Sequence, residues 1–197
     1  TLELVAAARP TWDDGYARAL LDAFELDPAT RPRKLSRGQR SALGAVIGLA
    51  SRAPVTMFDE VHLGMDAPSR RRFYEELLSD YVDHPRTIVI SSHLIAEIEQ
   101  LFERVVILHR GRVLLAEEAE ELRGRGVTIT GPAPEVDAAT ADLRVLNAQS
   151  LGPTKQTTVL GELDEPTRRR LRGAGLEIGA VPIEDLFIAL TEEEARP

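Results

Sequence analysis

Apolar positions along this chain fall into two alternating rhythms. Between Asp13 and Glu25, Tyr16, Ala19, Leu20, Ala23 and Phe24 recur at helical spacing and predict a packing stripe. Asp27-Pro28 and Arg31-Pro32 interrupt it. Ser36 then reads as the N-cap of a helix running to about Ser51, with Leu43, Val46, Ile47 and Ala50 on one face and Pro54 as its stop. Residues 55–58 are a short apolar run, the pattern of a buried parallel strand. A helix is predicted over 67–81 and a second buried strand over 87–91. An amphipathic helix follows from His93, carrying Leu94, Ile95, Ile98, Leu101 and Phe102. Val105–His109 reads as a third strand, and Gly111 as the turn into a hairpin partner at 112–115. Strands alternating with helices predict an α/β layer with a mostly parallel sheet.

The pattern changes near Ala116. Residues 117–122 read as an acidic helix and 123–126 as a loop. Beyond them the expected order is strand 127–130, helix 133–142, strand 143–150, strand 155–162, helix 164–173, strand 176–181 and helix 182–193. A β-α-β-β-α-β series of this kind is a split-βαβ, ferredoxin-like module, here with an added helix.

Composition narrows the classes. The 197 residues are 43% hydrophobic, enough for one large core or two small ones. A net charge of -8 argues against a mainly electrostatic nucleic-acid binder. The absence of cysteine excludes disulfides and thiolate-bound metal. No apolar stretch approaches the ~20 residues that span a bilayer, and no signal segment opens the chain, so membrane association is expected through a partner. A start at Thr1 rather than Met suits a fragment or a processed product.

Two motifs carry the candidate chemistry. Leu35-Ser36-Arg37-Gly38-Gln39-Arg40 opens an apolar helix, where free N–H groups and the positive dipole end suit a phosphate. Ser36 Oγ and the Gly38 N–H are the nearest donors. Val55-Thr56-Met57-Phe58-Asp59-Glu60 is an apolar strand closed by two carboxylates. Neighbouring strand residues face opposite ways, so one carboxylate can reach a nucleotide-bound Mg²⁺ and the other an attacking water. His93 follows Ser91-Ser92 at the end of the next strand, whereas His62, His84 and His109 have no such setting. Arg70–Arg72 and Arg168–Arg170 read as solvated helix faces, and Gly44 with Gly48 as a site of close helix packing. No G-x-x-x-x-G-K-[ST] phosphate loop occurs in the sequence.

Over roughly residues 1–116 these motifs, in this order, resemble the ATP-binding subunits of ABC transporters. LSRGQ is similar to the family's LSGGQ signature, with Arg37 at the first glycine. Val55–Glu60 resembles the Walker B strand, Leu63-Gly64-Met65-Asp66 the D-loop, and His93 the switch histidine. Val61 stands where the family usually has proline. The resemblance implies that Asp59 assists Mg²⁺, that Glu60 is the general base and that His93 contacts the γ-phosphate of ATP. It implies that Leu35, Ser36, Arg37, Gly38 and Gln39 close on ATP held by the partner of a head-to-tail homodimer, with Gly64 and Asp66 along the interface. The partner outside the dimer would be a separate membrane permease, and the location the inner face of the cell membrane. Export of a drug or small molecule is the expected role.

The implied fold class is α/β, a partial P-loop NTPase domain with a small α+β domain behind it. Residues 1–40 would hold a helical-subdomain remnant and the signature, 41–116 part of the ATPase core, and 117–197 an extension. Two other readings compete: a non-catalytic dimerisation or regulatory module, and an ABC-type ATPase not linked to transport. Without its first lobe the chain is expected to be inactive alone. Val55, Met57, Ile88 and Ile90 are expected to lack cover and to promote edge-mediated self-association, unless residues 1–34 fold back over them.

Overall fold

The first 93 residues are organised by the helix that Ser36 caps. In the computed structural model, which describes residues 2–194, this part begins with α1 (Leu2–Ala7), α2 (Asp14–Ala23) and α3 (Arg37–Ser51). Asp13 caps α2 by accepting the Tyr16 N–H. The buried face of α2 is Ala17, Leu20, Leu21 and Phe24, packed against Ala42, Ala45, Val46 and Leu49 of α3. Ala19, expected in that stripe, faces solvent instead, because Ala17 occupies the inner position one turn before Leu20 and Leu21.

Strand β1 (Val55–Asp59), helix α4 (Ala67–Asp83) and strand β2 (Thr87–Ser91) complete this unit. The two strands pair in parallel, Val55 beside Thr87 and Asp59 beside Ser91. Alternation then sends Thr56, Phe58, Ile88 and Ile90 to one face and Val55, Met57 and Val89 to the other. The first face meets the core, with Phe58 edge-on to Phe73 at 5.2 Å. Gly48 of α3 is needed there, since a Cβ would stand 2.3 Å from the Phe58 ring. The second face is open, and Met57 is 74% exposed. Register therefore corrects the expected set: Ile88 and Ile90 are packed, and Val89 joins Val55 and Met57 outside. Among the described residues, 2–34 do not cover that face; α2 is spent on α3.

A buried ion cluster ties the helix ends. Asp80, 1% exposed at its side chain, pairs with Arg86 at 2.6 Å and Arg52 at 3.3 Å. Arg52 also reaches Asp13 at 3.1 Å and lies over the Tyr16 ring at 5.0 Å. Two guanidiniums compensate one desolvated carboxylate, the condition under which a buried charge is tolerated.

Contacts separate a second compact unit from Leu94 onward. It opens with α5 (Ile95–Ile98) and a 3₁₀ turn at Glu99–Leu101, shorter than the helix the pattern predicts. The Glu99 carbonyl is taken by an Arg123 guanidinium, and its carboxylate by the Ile183 N–H at 3.0 Å, so the helix does not continue. Strands β3 (Arg104–His109) and β4 (Arg112–Glu118) form the expected hairpin through Gly111 at φ 76°. Glu117 and Glu118 finish β4 rather than a helix; α6 (Ala119–Gly124) starts where the Ala119 N–H finds the Glu103 carbonyl. Val105, Ile107 and Leu115 pack inward, while Val106, Leu108 and Val113 are exposed.

There follow β5 (Gly126–Pro132), α7 (Ala133–Thr140), β6 (Arg144–Leu151), β7 (Thr154–Leu160), α8 (Glu165–Gly173), β8 (Glu177–Ala180) and α9 (Ile183–Glu194). The sheet order is β6-β7-β5-β8, antiparallel throughout. This is the split-βαβ arrangement expected from the sequence, with α9 as the added helix. The chain as a whole is α/β with mixed sheets: parallel at β1-β2, antiparallel elsewhere.

Candidate functional site

The candidate residues form two groups, both in the first unit. One lies where β1 and β2 end together. Because Asp59 pairs with Ser91, the Ser91 hydroxyl donates to Asp59 Oδ1 at 2.5 Å and accepts the Glu60 N–H at 3.0 Å. Glu60 leaves the strand in the left-handed region, φ 48° and ψ 28°. For a side-chain-bearing residue that costs on the order of 1–3 kcal/mol, and such strain collects at functional sites. The turn aims its carboxylate at two histidines. Oε1 meets His93 Nδ1 at 3.0 Å, and Oε2 lies 3.7 Å from His62 Nε2. An ionised carboxylate only accepts, so the close contact assigns a hydrogen to His93 Nδ1. His93 is exposed, and Glu60 half-buried.

The other group is the start of α3 against the loop after Glu60. Ser36 and Gln39 make a reciprocal capping box: Ser36 Oγ accepts the Gln39 N–H at 3.1 Å, and Gln39 Oε1 accepts the Ser36 N–H at 3.0 Å. The Ser36 hydroxyl hydrogen stays available to a ligand. Leu35 is buried and anchors the turn, which leaves Ser36, Arg37 and Gln39 exposed. Gly38 and Gly64 touch backbone to backbone. A Cβ on Gly38 would stand 2.8 Å from the Gly64 carbonyl oxygen, and one on Gly64 would stand 2.5 Å from Ser41 Oγ. Asp66 caps α4, accepting the Ser69 N–H at 3.0 Å; the Ser69 hydroxyl, and then that N–H, hold its carboxyl below the usual aspartate range.

Ser91, Ser92 and His62 escape a reading of the motifs. Ser91 is the joint between the two carboxylates. His62 is fully buried beside Glu60, with Nε2 3.0 Å from Ser92 Oγ. The available signals were register, which sets Ser91 opposite Asp59, and the two-residue offset of His62 from Glu60. Arg71 makes an exposed i,i+4 pair with Glu75, as a solvated helix face should, whereas Arg70 beside it is half-buried.

No family model matches the chain. The Nod factor export ATP-binding protein I of Burkholderia thailandensis is 31% identical over 178 residues, covering 82% of this chain and 55% of that protein. The glycine betaine/proline betaine transport system ATP-binding protein ProV of Escherichia coli is 24% identical over 176 residues, covering 83% of this chain and 44% of its own. A solved ATP-binding subunit of an ABC transporter superposes with a TM-score of 0.55 at 27% identity, over 62% of this chain and 52% of that one. The chain is a homologue of ABC transporter ATP-binding proteins.

Its fold is accordingly that of ABC ATPase domains, within the P-loop NTPase class. The chain spans about half the length of the curated relatives it matches.

Proposed function

We propose that this chain is the signature and Walker B part of an ATP-hydrolysing ABC subunit that energises a separate membrane permease. The observation that carries this is the strand-end cluster, where Asp59 is held by Ser91 and Glu60 is turned onto His93 at 3.0 Å. Mg²⁺ takes one or two carboxylates and completes its octahedron with phosphate oxygens and waters. Asp59 is exposed with Oδ2 free of the Ser91 bond, and no cluster of three or more ligating side chains occurs among the described residues. That donor set fits a cation arriving with ATP, not a resident metal. When bound, Mg²⁺ would neutralise charge on the phosphates.

The chain's own residues supply the rest. Glu60 accepts a proton from the attacking water through its carboxylate, and His93 fixes the rotamer in which it does so. For His93 Nε2 to donate to a γ-phosphate while Nδ1 stays on Glu60, the ring must carry both hydrogens. Ser36 Oγ–H and the α3 N-terminus, with Gly38, Gln39 and the Arg37 charge, would meet the nucleotide of a head-to-tail partner, with Gly64 and Asp66 along the interface. Export of a small molecule is the direction we favour, because the 31% match is to an export protein. No described helix is long and apolar enough to cross a membrane, so attachment to the inner face would run through the permease.

We further propose that these 197 residues alone do not turn over ATP, since the sequence holds no phosphate loop to cradle the β- and γ-phosphates. A steady-state assay with MgATP tests this. Turnover that disappears in Glu60→Gln would overturn it.

A further inference from the structure

We propose that His62 is a positioning residue for Glu60, so that the carboxylate is held at both oxygens: Oε1 by His93 and Oε2 by His62. The inference rests on Glu60 being the base proposed above. It starts from a polar atom without compensation. Glu60 Oε2 is buried and makes no hydrogen bond. A buried carboxylate oxygen left without a donor is costly. The group facing it is His62 Nε2 at 3.7 Å, on a ring that is fully buried.

The tautomer decides what that contact is worth. With the hydrogen on Nδ1, Nε2 would accept from the Ser92 hydroxyl, and its lone pair would face the lone pairs of Glu60 Oε2. With the hydrogen on Nε2, one N–H points into the gap between Ser92 Oγ at 3.0 Å and Glu60 Oε2 at 3.7 Å. Only the second arrangement brings positive charge density to the orphaned oxygen. The backbone supports the same geometry. Glu60 is pinned in its left-handed conformation by Ser91, and His62 lies two residues on, in the 3₁₀ turn Val61–Gly64. Two histidines thus bracket one carboxylate. The exposed His93 is free to meet ligand, and the buried His62 is not. His62 also lies 6.2 Å from the Tyr74 ring, so it fills space as well, and the test must separate the two roles.

The test uses the 197-residue chain, labelled with ¹⁵N and ¹³C, and the variants Glu60→Gln, His62→Gln and His62→Leu. Glutamine keeps a donor near the Nε2 position; leucine keeps bulk alone. Long-range ¹⁵N–¹H correlation should show the Nε2–H tautomer for wild-type His62. The Glu60 carboxyl ¹³C signal should shift in His62→Leu and return toward wild type in His62→Gln. An Nδ1–H tautomer would overturn the proposal. So would a Glu60 signal that responds equally to both substitutions. If His62→Leu does not fold, the wild-type tautomer and the His62→Gln signal still decide. In a protein carrying a phosphate-loop lobe ahead of this chain, His62→Leu should lower kcat about tenfold with KM unchanged, and His62→Gln should restore most of it. Turnover there that ignores Glu60→Gln would count against the function; the NMR result tests the positioning separately.

Discussion

Ser91 holds Asp59 and the entry to Glu60 with a single hydroxyl, donating to Asp59 Oδ1 at 2.5 Å while accepting the Glu60 N–H at 3.0 Å. The parallel register that pairs these strand ends makes the arrangement possible. A bond to an ionised group contributes more than a neutral one, and here it also fixes a strained turn. Ser91→Ala should destabilise the first unit by about 1–2 kcal/mol, and Ser91→Thr, which keeps the hydroxyl, by less. Urea denaturation followed through Trp12 fluorescence reads both. Equal losses for Ala and Thr would show that the hydroxyl is not what holds the turn.

The signature helix and the loop after Glu60 meet through Gly38 and Gly64, with no room for a Cβ on either. Gly38→Ala would press a methyl group onto a carbonyl oxygen, which is backbone and cannot swing aside. Overpacking of this kind costs about 1–3 kcal/mol. Gly44→Ala is the control, because its nearest neighbour is the Val61 side chain at 3.8 Å and helix propensity favours alanine. Denaturation midpoints should fall for Gly38→Ala and hold or rise for Gly44→Ala.

Asp66 and Asp164 each cap a helix, and each has its carboxyl held below the usual range, first by the hydroxyl of the residue three positions on. A depressed folded value contributes stability above the unfolded value near pH 4 and loses it as pH falls further. Asparagine caps comparably but does not titrate. The double variant Asp66→Asn, Asp164→Asn should therefore lose less stability than wild type between pH 5 and pH 2.5. Thermal melts across that range give the slope; parallel slopes would contradict the assignment.

Val55, Met57 and Val89 present an open apolar sheet face, the kind of surface that recruits another copy. The chain should self-associate at micromolar concentration, and Met57→Lys should return it toward monomer. Light scattering measures both. A monomeric wild-type chain would remove this face as an association site.

Much of this structure was legible because its elements are short and sharply punctuated. The Ser36 N-cap of α3 and the boundaries of β2 follow from residue types at fixed offsets. The C-terminal sheet order follows from the β-α-β-β-α-β series. What escaped depends on contacts between distant positions. Glu99 ends a helix because Arg123 and the Ile183 backbone claim it, and no local pattern records that. Ile88 and Ile90 look like Val89 in the sequence, and only register tells which side they take. His62 was legible as a residue but not as a neighbour of Glu60, since its meaning lies in a left-handed turn at a glutamate.

The role of Glu60 as the proton acceptor of an ATPase is open to a single decisive comparison. In a protein carrying this chain behind a phosphate-loop lobe, ATP turnover and dimer formation are compared for wild type and Glu60→Gln. The substitution is nearly isosteric and removes the proton acceptor without disturbing the turn. Glu60→Gln should bring turnover near background, retain ATP binding, and leave an ATP-dependent dimer that persists on size-exclusion chromatography. Turnover equal to wild type would contradict that role.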